Sequence, residues 1–158
     1  MFNEVKRILV PVDFSPCSKR ALALACDIAS RYDAQLTLLH VYQTPGLLYP
    51  DGFLPASPQV YRDFVDKIDD AMAELKRTAE RGGVSRVLLK ASEGFPQTEI
   101  IREAELSKSD LIVIGTHEHT DLKHVLLGSV AKTVVRRASC PVLTVRMSKT
   151  AKQKAQAA

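Results

Sequence analysis

The stretch GTHEHTDLKHVLLGSVA, from Gly115 to Ala131, gathers three of the chain's four histidines with two carboxylates and two glycine pairs. Gly115-Thr116 closes an apolar run and Gly128-Ser129 opens a helix-period one. A glycine lets backbone approach an anion closely, and the amides of a first helical turn attract one. The two pairs therefore resemble the ends of a phosphate cradle. Plainer uses exist: Gly115 as a turn, Ser129 as a helix cap. Between them, Glu118 and Asp121 would repel a polyphosphate, with Lys123 as a partial counterweight. His117, His119 and His124 add imidazoles that, with those carboxylates, suit zinc. Their spacing matches no closed structural site, so a polar loop is expected and a metal is not.

Elsewhere the candidates are single residues. Asp13 follows a strand-like run and can accept from the amino group or ribose of a nucleotide, or serve as a turn residue. Cys17 falls in a first helical turn, where the positive helix end would make a thiol reactive; a small half-buried filler is the commoner role. Cys26 reads as a core residue, Cys140 as packing where the last strand begins, and His40, inside an apolar strand, as a core histidine with its hydrogen bonds satisfied.

The elements that must position these residues alternate in type. KRILVPV (Lys6 to Val12) is a strand apolar enough to be buried on both faces. Ser15-Pro16 then caps and starts a helix with the stripe Ala21, Leu24, Ala25, Ile28. QLTLLHVY (Gln35 to Tyr42) is the second strand. Pro45, Pro50, Pro55 and Pro58 predict an irregular loop over 43–57, either a lid or an inert insertion. A helix from Pro58 to about Arg81 turns Val60, Phe64, Ile68, Met72 and Leu75 inward, and Gly82-Gly83 stops it. SRVLLK (Ser85 to Lys90), a helix bearing Ile100, Ile101 and Ala104, and DLIVIG (Asp110 to Gly115) follow. A helix with Val130, Val134 and Val135 on one side leads to CPVLTVRM (Cys140 to Met147). Five strands and four helices in alternation predict an open, mostly parallel α/β sheet covered on both faces. Ligands of such sheets sit beyond the strand C-terminal ends, where strand order reverses. That selects Pro11-Val12-Asp13, His40-Val41-Tyr42 and the segment from Gly115 onward.

With 158 residues, 46% hydrophobic and 25% charged, the chain suits one globular domain. It has no run of about 20 apolar residues to span a bilayer, and no leader pattern at its start. Three cysteines make no disulfide framework, and a cytoplasmic location is expected. Net charge is +4, but Lys149, Lys152 and Lys154 lie in the acid-free end SKTAKQKAQAA. Residues 1–147 are expected to fold and 148–158 to form a solvated, disordered basic tail. No basic face with interleaved aromatics supports nucleic-acid binding.

Taken together, KRILVPVDFS, QLTLLHVY, DLIVIGTH and LKHVLLGSVAKTVVRRASCPVLTVR cover most of residues 6 to 146. In that combination the chain resembles the universal stress protein family. The resemblance implies a five-stranded, Rossmann-like parallel fold, usually a homodimer paired through strand five. Val142, Leu143 and Val145 would form that edge. ATP-binding members carry G-x2-G-x9-G-[ST]; Gly115 matches its first glycine, Gly128-Ser129 its closing pair, and Glu118 stands at the middle glycine. By the same matching, Asp13, next to Pro11 and Val12, holds adenine and Val41 lines the base pocket. Pro11, Val12 and Thr116, as neighbours of these residues, are expected in the same nucleotide site, and Val130 and Ala131 lie beside the phosphates. A side chain at position 118 adds strain of about 1–2 kcal/mol if the backbone needs positive φ, and its charge opposes phosphate unless Mg2+ offsets it. The balance leans to a stress-response or signalling module binding ATP or a related adenine nucleotide. The alternative is a family member that binds no nucleotide and works as a dimeric interaction module. An enzyme is not expected: VDFSPCSK lacks the glycines of a phosphate loop, and no residue is placed as a general base.

Overall fold

β1 (Arg7–Pro11) is the middle strand of the fold, and its apolar sequence has the matching cause: Ile8, Leu9 and Val10 are buried, facing alternate sides. The structure, a computed structural model, describes residues 4–116 and 128–146. Glu118, Asp121, Lys123, the histidines 117, 119 and 124, and the tail 148–158 lie outside them. The remaining elements are α1 (Pro16–Tyr32), β2 (Gln35–Tyr42), β3 (Gly46–Tyr49), β4 (Gly52–Pro55), α2 (Pro58–Arg81), β5 (Val87–Glu93), α3 (Pro96–Leu106), β6 (Leu111–Gly115), α4 (Ser129–Arg137) and β7 (Val142–Val145).

Five strands pair in parallel in the order β5-β2-β1-β6-β7. From β1 the chain first builds outward through β2 to β5, then returns to the other side of β1 for β6 and β7. Helices α1 and α2 cover one face, burying Ala21, Ala25, Ile68 and Met72 against Ile8, Val10, Leu36 and Leu38. Helices α3 and α4 cover the other, where Ile100, Ala104 and Val134 meet Leu9, Leu39, Ile112 and Ile114.

The predicted parallel sheet is therefore present, with local differences. Residues 43–57 are not irregular: β3 and β4 form a separate antiparallel hairpin. Its prolines stand where no ladder N–H is needed, Pro45 before the first strand, Pro50 in the turn and Pro55 at the end. The third strand of the main sheet starts at Val87 and runs to Glu93, beyond the Lys90 expected. In α1 the inward stripe is Ala21, Leu22 and Ala25, while Leu24 is exposed. Val60 in α2 and Val135 in α4 also face out. Both sit near helix ends, Val60 in the first turn of α2 and Val135 in the last turn of α4. Cys17 is fully buried, its Sγ directed at the carbonyls of Thr116 (3.2 Å) and Val145 (3.4 Å), which removes the solvent access a reactive thiol needs.

At the opposite end of the sheet from the strand C-termini, one carboxylate fastens β1 to β6. Asp110 Oδ2 accepts the amides of Arg7 (2.9 Å) and Lys6 (3.1 Å), and the Arg7 guanidinium lies 3.6 Å away. Asp110→Ala strands both amides, so chemical denaturation should show a loss of about 1–3 kcal/mol. Asp110→Asn, which keeps an acceptor, should lose less.

Among the described residues, three groups make stability pH-dependent on the alkaline side, and the smallest effect is at Cys140, whose thiol burial pushes up. Burial, with Asp27 adding to it, raises the Cys26 thiol from 9.0 to about 11. The hydrogen bond with Tyr61, then burial, raises the Tyr42 phenol from 10.0 to about 12. Folding favours the neutral form of each, so their contribution is whole below pH 9 and fades as pH climbs through 11 and 12. Melting temperature should fall from about pH 9 upward, with Cys26→Ala blunting the first part of the decline. A flat profile from pH 8 to 11.5 would contradict this assignment.

Candidate functional site

The cavity at the strand C-terminal ends exists because two hydrogen-bond ladders stop early. Residues of a parallel strand alternate in the neighbour they face. Along β1, Lys6 and Val12 bond toward β2 while Arg7 bonds toward β6. Pro11 is thus a β6-facing position, and it has no N–H to donate. The β1–β6 register runs only from Ile8↔Leu111 to Leu9↔Ile112. On the other side, the β1–β2 ladder ends with Val12 N–H donating to Leu39 O at 2.8 Å. Phe14 then takes a left-handed conformation (φ 63°), a rare one for a bulky residue, and turns the chain away.

Val41 lies just past that point. On β2, Gln35 bonds toward β1, whereas Leu36 and Tyr42 bond toward β5. Val41 has the parity of Gln35, so its N–H and C=O face the β1 side, where the strand has already ended. Among the described residues neither group has a partner.

Asp13 is set at the lip of the cavity by a closed ring of bonds. Its Oδ1 accepts Ser15 N–H (3.0 Å), Ser15 Oγ accepts Ser18 N–H (3.1 Å), and Ser18 Oγ accepts Asp13 N–H (3.4 Å). The Asx turn and the α1 cap are thus one structure. Its side chain is exposed while its backbone is fixed.

The far wall is α4. Its N-cap is Gly128 (φ −52°, ψ 150°), with Ser129 the first helical residue, and no side chain among the described residues caps it. The Ser129 cap that the sequence allowed is therefore not used. The first-turn amides point out with the positive end of the helix behind them, a setting that favours an anion. The third wall is α3, whose first turn is fastened by Ser92 Oγ donating to Glu99 Oε2 (2.6 Å).

These walls enclose about 250 Å³. Pro11, Val12, Asp13, Val41, Gly115, Gly128, Ser129, Val130 and Ala131 all line it. Thr116 does not: it is buried, and its N–H and Oγ1 both donate to Val145 O, at 2.9 and 3.3 Å. Gly115 has a further duty that its sequence context hid. A Cβ there would lie 2.9 Å from Cys17 C and O and 3.0 Å from Ser18 N, so the glycine lets α1 rest on β6. Ser18, Leu39, Pro96, Ile100 and Ile114 also line the cavity and were not among the site residues expected from sequence. Pro96 and Ile100 could have been, since they open the helix that follows a strand's C-terminal end. His40 is half-buried, not the core residue expected; its Nδ1 lies 2.8 Å from Val12 O and its ring 4.4 Å from that of Phe14. Among the described residues no cluster of ligating side chains could hold a metal, and no helix is long and apolar enough to cross a membrane.

A reversal of strand order with its cavity between β1 and β6 defines a Rossmann-like α/β domain. The universal stress protein family profile matches residues 4–146. The chain is 37% identical over 150 residues to a universal stress protein of Methanocaldococcus jannaschii, covering 93% of this chain and 85% of that one. Among solved structures, the universal stress protein UspA from Lactobacillus plantarum superposes with a TM-score of 0.74 at 28% identity, over 91% of this chain and 99% of that one. A universal stress protein in complex with cAMP gives 0.67 at 25% identity, over 92% and 100%. This chain belongs to the universal stress protein family.

Proposed function

We propose that the cavity binds an adenine nucleotide and that the protein is a dimeric stress-response module that senses or carries it. What carries the reading is the meeting, around one cavity, of two complementary chemistries. Val41 presents a backbone donor and acceptor side by side. That pair matches the edge of adenine, whose N1 accepts and whose amino group donates; guanine presents the reverse order. Across the cavity, the α4 amino end suits phosphate. Asp13 stands at the lip, in reach of an amino group or ribose hydroxyl. The family relative crystallised with cAMP is consistent with this ligand class. Pro11, Val12, Gly115, Gly128, Ser129, Val130 and Ala131 would complete the enclosure, and Thr116 would act only by fastening β6 to β7.

Thermal shift and calorimetry with ATP, ADP, AMP and cAMP, each with and without Mg2+, test the proposal. Stabilisation by at least one adenine nucleotide, and weaker stabilisation by GTP, is expected. No response at millimolar ligand would leave the interaction-module reading in its place. Glu118→Gly should tighten ATP binding about tenfold, because it restores the glycine of the ATP-binding motif and removes a negative charge from that motif. Unchanged affinity would show that Glu118 does not oppose the ligand.

The dimer would form on β7, an edge strand of the sheet whose Leu143 is exposed. Light scattering at micromolar concentration should give twice the 17.4 kDa chain mass, and Leu143→Arg should shift it to the monomer.

A further inference from the structure

In a regular parallel ladder, a residue whose N–H donates to partner position j−1 has its C=O accept from position j+1. Val12 N–H donates to Leu39 O, so the next bond in sequence would run from Val41 N–H to Val12 O. That bond is not made. The Val12 carbonyl is instead occupied by His40, whose Nδ1 lies 2.8 Å away and, facing a carbonyl, must be the protonated nitrogen. The imidazole is held in place by the Phe14 ring, with centroids 4.4 Å apart. Phe14 itself is the left-handed residue that turns β1 away from β2.

We propose that His40 is a positioning residue for ligand recognition: by taking the Val12 carbonyl it stops the β1–β2 ladder one bond early and keeps the Val41 N–H turned out into the cavity. The inference rests on the nucleotide reading for its purpose, but not for its geometry. His40 is not among the residues lining the cavity, and its ring packs on Phe14, which rests against the core of the α1/α2 face, so no contact with ligand is involved. Its effect passes through one carbonyl. The tautomer requirement is mild, because both the neutral Nδ1–H form and the imidazolium can donate.

The test separates this role from simple packing. Amide hydrogen exchange at Val41 is measured by NMR in the nucleotide-free protein, for wild type, His40→Leu and His40→Asn. Leucine fills the site without a donor, whereas the asparagine amide nitrogen reaches nearly where Nδ1 does. Wild type and His40→Asn should exchange Val41 rapidly. In His40→Leu the ladder should close by one bond, slowing Val41 exchange at least tenfold and weakening adenine-nucleotide binding by about tenfold, the worth of one hydrogen bond. A Val41 amide already protected in wild type, or equally fast in His40→Leu, would overturn the proposal. So would His40→Asn behaving like His40→Leu. Should His40→Leu fail to fold, His40→Phe provides the donorless ring and the same comparison. A wild type that binds no nucleotide would refute the functional reading, while the exchange result still decides the role of His40.

Discussion

Gly115→Ala should lower the melting temperature by roughly 5–10 °C, and Gly115→Val by roughly 10–15 °C. The cause is a collision with backbone. An added Cβ would sit 2.9–3.0 Å from the Cys17 carbonyl group and the Ser18 nitrogen, which belong to the first turn of α1. A flexible side chain could swing aside; a helix must translate. That movement would also pull on the ring joining Asp13, Ser15 and Ser18, so the variant's residual folded fraction should bind nucleotide more weakly. Differential scanning calorimetry with a parallel binding titration would check both effects. A Gly115→Ala protein that melts with wild type would mean that α1 accommodates the methyl, and that the close approach has no energetic weight.

The other large effect is expected at the centre of the sheet. Ile112 on β6 is 0% exposed and packs among Leu9, Leu39, Ile100 and Val134. Ile112→Ala removes three carbons where strands and helices on that face are already in contact, so the cavity cannot collapse fully. Denaturant titration should give a loss of about 3–4 kcal/mol. Leu88→Ala is the control: Leu88 is equally apolar and also on a sheet strand, but 47% exposed at the β5 edge. Its replacement should change stability by no more than about 0.5 kcal/mol. Equal losses at the two positions would contradict the two-layer core described above.

The parallel sheet was legible because its strands are apolar on both faces, and periodicity reports burial directly. Gln35–Tyr42 and Pro58–Arg81 begin and end where their pattern and caps put them. The hairpin was not legible, because four prolines argue against strands unless one knows that each falls at a flank or turn. Leu24, Val60 and Val135 show the limit of periodicity: each keeps the helical spacing but lies outside the buried stripe of its helix. Within the site, residues with family spacing were identifiable as a set, but their individual roles were not. The role of Gly115 depends on where α1 comes to rest on β6, and the role proposed for His40 depends on which carbonyl an unpaired strand end offers. Thr116 was grouped with the cavity by adjacency alone, whereas its side chain follows β7.

The hairpin of β3 and β4 has an implication for how such proteins can diversify. Its entry and exit are clasped by one bond, Ala56 N–H to Pro45 O at 2.9 Å, and its strands pair with no strand of the main sheet. Everything between those two residues could be exchanged for a shorter or longer segment at little more than the entropy of closing the loop. The segment works as a removable cartridge, mounted where β2 leaves the sheet and carrying Leu47, Tyr49, Phe53 and Leu54 into solvent. A new surface could be tried there without repacking a single core residue.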